Sequence, residues 1–195
     1  GSRTDSNLPG NFFPFNSAAK AFTVDGSGNL VNKMSANNKD NEEPVNHHLG
    51  MTLETTFRQP VDGKVDTNDM VFEFAGDDDV WVFVDDVLVL DMGGIHSEIF
   101  GTINFATGDV YLGPAFDTEG IPEDPEAEAV VKTNLYEQFD AAGKADSVRW
   151  KGSTFASNTS HTLKMFYLER GNYDSSIAVN FNLQPALYQQ IYKVD

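Results

Sequence analysis

Residues Val80 to Leu90 constrain the fold of this chain more than any other stretch. Val80-Trp81-Val82-Phe83-Val84 is a run of β-branched and aromatic side chains, and Val87-Leu88-Val89-Leu90 is a second apolar run. Such side chains lose rotamer freedom on a helix and pack well on a pleated sheet. Asp85-Asp86 fills the two positions between them, the commonest length for a hairpin connection. The centre of the chain is therefore expected to be an antiparallel hairpin.

The same signal recurs on both sides. In Leu49 to Arg58, Leu49, Met51, Leu53, Thr55 and Phe57 fall on one face, the period-2 pattern of a half-buried strand. Met70 to Phe74 alternates again, and Ile99–Phe105 with Asp109–Leu112 reads as a hairpin around Ala106-Thr107-Gly108. Ala21 to Asn32 reads as a hairpin turning at Asp25-Gly26-Ser27-Gly28-Asn29, and Ser147 to Phe155 holds a short strand. His161–Leu168 and Ser176–Leu183 are the last strong strands. Roughly ten short strands with turn signals between them imply an antiparallel sandwich or barrel. Glu126 to Ala142 is the one helical stretch, with Val130, Leu135 and Phe139 on an apolar face and Gly143 as its stop. No linker divides the 195 residues, so 1–195 is expected to be a single domain. Residues 3–20 form an irregular lead-in, and Gly1-Ser2 reads as a cloning scar.

Charge is distributed unevenly. The net charge is −17, and no Lys or Arg occurs between Lys64 and Lys132. That gap holds 17 of the 30 acids, so the remaining 13 match the 13 Lys and Arg and the rest of the chain is neutral. Such a balance repels nucleic acid and anionic lipid. The absence of Cys excludes disulfides, thiolate metal sites and Cys nucleophiles. No apolar run is long enough for a membrane-spanning helix, and no signal peptide is visible.

Few motifs carry chemistry. Asp77-Asp78-Asp79 lies between two strands with no base nearby in sequence, which suits either a solvated turn or a hard-cation site built from carboxylates. Asp25 to Asn29 opens like an EF-hand loop but has Leu30 at position 6 and Ala36 at position 12, so a hairpin turn is the better reading. The four His (His47, His48, His96 and His161) lack zinc spacing. His96 reads either as a core histidine or as a ligand contact. Tyr173, in the loop between the last two strands, reads either as a sugar-stacking platform or as a plug on the core. No G-x-S-x-G, phosphate loop or dinucleotide fingerprint is present, so an enzyme is not expected.

Glu73 to His96, with its Gly76-Asp77-Asp78-Asp79-Val80-Trp81-Val82-Phe83-Val84-Asp85-Asp86 centre, resembles the core signature of the fibro-slime domain. Asn46 to Met51 looks like that family's early strand, and Phe166–Gly171 followed by Val179–Leu183 like its closing pair. The domain is similar to the wider PA14 superfamily, and Gly101 to Asp109 resembles versions in surface proteins of gut Firmicutes. The resemblance implies a mostly β, PA14-like antiparallel β-sandwich with a short helical insertion around residues 126–142. It implies Ca²⁺ held by Asp77 and Asp78, with Asn172 and Asp174 from a second loop. Asp77, Asp78, Tyr173 and His96 would contact a glycan whose hydroxyls complete the Ca²⁺ shell. The function so implied is a Ca²⁺-dependent carbohydrate-binding or adhesion module of a larger Gram-positive bacterial surface protein. It would be extracellular, attached to the cell surface or wall through the parent protein, and monomeric when isolated. The alternatives are a structural spacer of a surface stalk, with Ca²⁺ only ordering loops, and an accessory module of a carbohydrate-active enzyme.

Overall fold

A computed structural model of the chain describes residues 14–17, 19, 22–32, 48–76, 78–94, 99–113, 131–170 and 177–186. Strands β1 (Phe22–Val24) and β2 (Leu30–Asn32) form a hairpin. Its turn is organised by Asp25, whose carboxylate accepts the Ser27 and Asn29 amides at 2.8 and 2.9 Å. Those bonds, Asn29 first, hold the Asp25 carboxyl below its ordinary value. The EF-hand likeness is thus resolved as an Asx-type turn.

The body of the fold is made by β3 (Leu49–Arg58), β4 (Lys64–Val65), β5 (Asn68–Asp69), β6 (Val71–Gly76), β7 (Asp79–Val84), β8 (Val87–Met92), β9 (Ile99–Asn104), β10 (Asp109–Gly113) and β11 (Val131–Asn134). The helix α1 (Leu135–Ala141), β12 (Trp150–Lys151), β13 (Thr154–Phe155), β14 (Ser160–Glu169) and β15 (Ile177–Phe181) follow. One sheet has the order β11-β10-β9-β6-β15 and the other β3-β14-β7-β8, and every pairing within them is antiparallel.

The two sheets face each other across one core, so the sandwich expected from the sequence is the fold. Phe72, Phe74, Ile103 and Val110 come from the first sheet, and Val80, Val82, Val84, Leu163, Met165 and Tyr167 from the second. Phe74 and Tyr167 meet between them with ring centroids 6.1 Å apart. Period-2 alternation builds this arrangement directly, because inward residues of β3, β7 and β14 fall on one side of the pleat.

Two turns are set by backbone chemistry. Asp85 and Asp86 have φ of 47° and 61°, the left-handed pair that a two-residue I′ hairpin needs. Gly108 (φ +88°) cannot be replaced, because a Cβ there would lie 2.2 Å from the Ser153 carbonyl oxygen.

The helix is shorter than its sequence pattern suggests. Residues 131–134 pair with β10 instead, and Asn134 then caps α1 by accepting the Glu137 amide at 2.9 Å. As a strand, residues 131–134 pair their backbone with the otherwise open edge of β10, which a helix there would leave unpaired. Residues 126–130 lie outside the described residues. Leu135 and Phe139 of α1 are buried, and Phe139 packs edge-on against Trp150 and Phe155 at one end of the core.

Phe72 is fully buried. Phe72→Ala is expected to cost about 3–5 kcal/mol in urea unfolding, the range for deleting a core aromatic. Val24→Ala, at a position 62 % exposed, is expected to stay within about 0.5 kcal/mol. Equal losses would deny that the core lies between the sheets.

Candidate functional site

The strand ends beside residues 77, 95–98, 114–130 and 171–176 gather at one end of the sandwich. In the first sheet Gly76 pairs with Ile99 and with Ile177, Gly113 with Phe100, and Leu112 with Val131. In the second, Glu169 pairs with Leu49, Leu168 with Asp79, and Val80 with Met92. The short step from β6 to β7 ties the two ends together. Asp85, Asp86 and Asp109 stand at the opposite end, so the base-free segment is split between the two poles.

At the first pole, Asp78 and Asp79 are buried, at 3 % and 4 % exposure. The backbone amide of Arg170 donates to Asp78. Asp79 accepts the Gly94 amide at 2.6 Å through one oxygen and the Arg170 Nε at 2.5 Å through the other. Glu169 is also buried and accepts the Tyr167 hydroxyl at 2.5 Å. Asp78 and Asp79 therefore lash the connections after β8 and β14 onto the start of β7. Burying charge this way is tolerated because each carboxylate accepts charge-assisted bonds, from backbone amides and a guanidinium for Asp78 and Asp79 and from a hydroxyl for Glu169.

The water-facing side of the four-stranded sheet is unlike an ordinary wet sheet face, which would be polar. Trp81 and Phe166 are cross-strand partners, Phe83 is opposite Leu88, and Leu168 is opposite Gly50. Phe166 and Leu168 are 40 % and 42 % exposed. Together with Met51 and Thr52 they line an open groove of about 610 Å³. Gly50 keeps the groove open, since a Cβ there would already meet Leu168 at 3.3 Å. Phe83 and Phe166 stand edge to face, with centroids 5.7 Å apart and planes at 89°.

The rim of the groove is charged. Glu54 lies opposite Lys164 and Asp91 opposite Trp81. Lys164 bonds Asp86 at 2.8 Å. This bond and its charge hold the Asp86 carboxyl below its ordinary value and raise the Lys164 ammonium.

A third cluster, at the second pole, was not singled out by the sequence. His161 is buried, with Nδ1–H donating to Asp85 at 2.6 Å and Nε2 2.6 Å from the Thr159 hydroxyl. Its ring stacks on Phe155 at 3.7 Å. Thr159 donates to the Ala156 carbonyl at 2.7 Å, and Asp85 accepts the Thr162 amide at 2.8 Å. The cluster has the composition of a catalytic triad, but its ring is covered by Phe155 and its hydroxyl is committed to backbone. It pins the β7–β8 turn to β14. The partners lie far apart in sequence, so no local motif could have exposed it.

Of the residues expected to form a site, Asp78 alone is described, and the structure ties it to backbone. Asp77, His96, Asn172, Tyr173 and Asp174 lie outside the described residues. Among the described residues, no group of three or more His, Asp and Glu is arranged to hold a metal ion. The outer apolar face was missed. Its signal was present in Phe166 and Leu168, which alternate with the inward Leu163, Met165 and Tyr167.

Comparison with known proteins changes the expected lineage. The chain is similar to proteins of Dictyostelium discoideum: 36 % identical to protein psiI over 86 residues, which is 44 % of this chain and 11 % of psiI. It is 30 % identical to protein psiB over 130 residues, 58 % of this chain and 22 % of psiB. It is 64 % identical to protein psiF over 36 residues, 18 % of this chain and 5 % of psiF. The chain thus spans less than a quarter of the length of these relatives. No family model and no solved structure matches.

These relatives overturn the assignment to a bacterial fibro-slime protein. The Ca²⁺-dependent carbohydrate-binding adhesin of a Gram-positive surface falls with it, as do the spacer and accessory-enzyme variants of that reading. The physical reason the sequence misled is that its strongest motif has a structural use. Asp78-Asp79 clamps the connections, and Val80 to Leu90 is the hairpin of a β-sandwich, so neither by itself marks a lineage.

Two expectations follow. Asp79→Ala should cost about 1–3 kcal/mol, the size of losing bonds to a buried charged group. Hydrogen exchange at the Gly94 amide should accelerate, and unchanged exchange would deny the lash. At the rim, the lowered Asp86 value means that its pair stabilises the fold above the ordinary value of 3.8. That contribution is lost as pH falls through the lowered value. Carboxyl NMR of Lys164→Ala should show Asp86 titrating near its ordinary value again.

Proposed function

We propose that the chain is a non-catalytic docking module of a longer, secreted protein. Its outer sheet face holds an extended apolar segment of a protein partner, flanked by Lys or Arg. One observation carries this reading: Trp81, Phe83, Phe166 and Leu168 occupy the water-facing side of a sheet whose other side already has a complete core. An apolar patch with a polar rim is the usual mark of an interaction surface. The edge-to-face rings leave notches suited to side chains rather than the flat platform on which a sugar ring stacks.

The charge selects the partner. Glu54, Asp86 and Asp91 border the groove, and the cations beside it are already answered: Lys164 is held by Asp86, whose carbonyl Lys144 also reaches, and Arg170 is held by Asp79. A basic-flanked segment complements that rim. A second copy does not, because each copy brings a net charge of −17. The length of the relatives supports a module working beside other parts of a larger polypeptide.

NMR titration with a short peptide of alternating Leu and Lys tests this reading. Shifts should concentrate at Gly50, Trp81, Phe166 and Leu168, and Phe166→Ser with Leu168→Thr should abolish them. A peptide of alternating Leu and Glu should bind at least tenfold more weakly. Equal binding of both peptides, shifts confined to the first pole, or concentration-dependent dimerisation through this face would overturn it.

A second reading concerns the first pole, where two buried carboxylates sit at the mouths of the connections. Ca²⁺ takes six to eight oxygens. The described residues bring Asp78 and Asp79, and Arg170 already occupies Asp79. A Ca²⁺ site there would need further oxygens, for which Asp77, Asn172 and Asp174 are the sequence candidates. A Ca²⁺-induced rise in Tm, lost in Asp78→Asn, would support it by mass action. An unchanged Tm would remove the cation.

A further inference from the structure

We infer that Asn158 is an acceptor for an N-linked oligosaccharide, and that the turn between β13 and β14 is built to present it. The chain has 16 asparagines, and Asn158-Thr159-Ser160 is the one place where Ser or Thr stands two residues beyond Asn with a residue other than Pro between. That triplet is the acceptor signature read in the secretory pathway.

The structure adds what the triplet alone lacks. Asn158 is exposed at the tip of the turn, with φ of +67°, a conformation that Asn tolerates better than most residues. The Arg58 guanidinium donates to its Oδ1 at 2.8 Å. Because guanidinium can only donate, this fixes which end of the amide is oxygen. Nδ2 is left as the atom to carry the sugar. The hydroxyl of the middle residue, Thr159, is committed to Ala156 and His161. Ser160, the exposed first residue of β14, therefore supplies the required hydroxyl. A polar hollow of about 380 Å³ beside Asn158, bordered by Asp146, Ser147 and Arg149, gives the first sugar hydrogen-bonding partners.

The transfer balances with one co-reactant, an oligosaccharide carried on a lipid pyrophosphate. Asn158 Nδ2 attacks the anomeric carbon, and a C–N bond forms. The C–O bond to phosphate breaks, and its electron pair leaves with the lipid pyrophosphate. The amide proton passes to a base of the transferase.

The position also suits the docking face. Ser160 and Phe166 are six residues apart on one strand, about 20 Å at strand rise. The sugar hangs from the second pole and leaves the groove clear. This inference rests on the secreted placing proposed above.

The test is expression of the whole chain behind a heterologous signal peptide in eukaryotic cells, followed by peptide mass mapping. The expected result is a glycan removed by peptide N-glycosidase, converting Asn158 to Asp. Modification should be lost in Ser160→Ala and kept in Ser160→Thr, both exposed changes that leave the core intact. A secreted, folded chain with unmodified Asn158, or a glycan that persists in Ser160→Ala, overturns the inference. The forced signal peptide separates this result from the secreted reading itself, which fails if the natural full-length protein is found inside the cell.

Discussion

The pairing of β7 with β14 is the constraint on which the rest of this structure depends. The two strands are central in their sheet and matched residue for residue from Leu163–Val84 to Leu168–Asp79. One side of that pair sends Val80, Val82, Val84, Leu163, Met165 and Tyr167 into the core. The other sends Trp81, Phe83, Phe166 and Leu168 toward water. A shift of register by one residue would exchange the two sets. The inward set gains from burial on folding. The outward set gains little until something covers it, which makes it a surface for recognition.

The same pair anchors both poles. Asp79 starts β7 and holds Gly94 and Arg170, while Asp85 ends the strand's hairpin and holds His161 and Thr162. Both carboxylates reach β14 or the residue just after it. The acids of the base-free segment thus have distinct uses. Some tie connections to the sheet, Asp86 and Asp91 border the groove, and the remainder keep the chain strongly negative. That net charge also discourages self-association through an exposed apolar face.

The fold was legible because it is written in local alternation. Leu49 to Arg58 and Val80 to Leu90 needed only the period-2 rule, and Asp85-Asp86 announced its own turn. The helix was overextended because residues 131–134 have a sheet partner, β10, that only the tertiary structure supplies. The site was far less legible. In Asp77-Asp78-Asp79, sequence cannot show that Arg170, some ninety residues later, answers Asp79 with its guanidinium and Asp78 with its backbone amide. The outer face was hidden for a related reason. Phe166 and Leu168 look like core residues until β14 is known to point them away from the second sheet.

The central claim is that the two faces of the β7–β14 pair have separate roles, one for stability and one for docking. Urea unfolding of Phe166→Ser with Leu168→Thr tests it most directly. The account predicts a loss below about 1 kcal/mol, as for surface substitutions, with the fold retained. A loss of about 3 kcal/mol or more, the size of a core deletion, would show that this face is already covered in the free chain and would contradict the account.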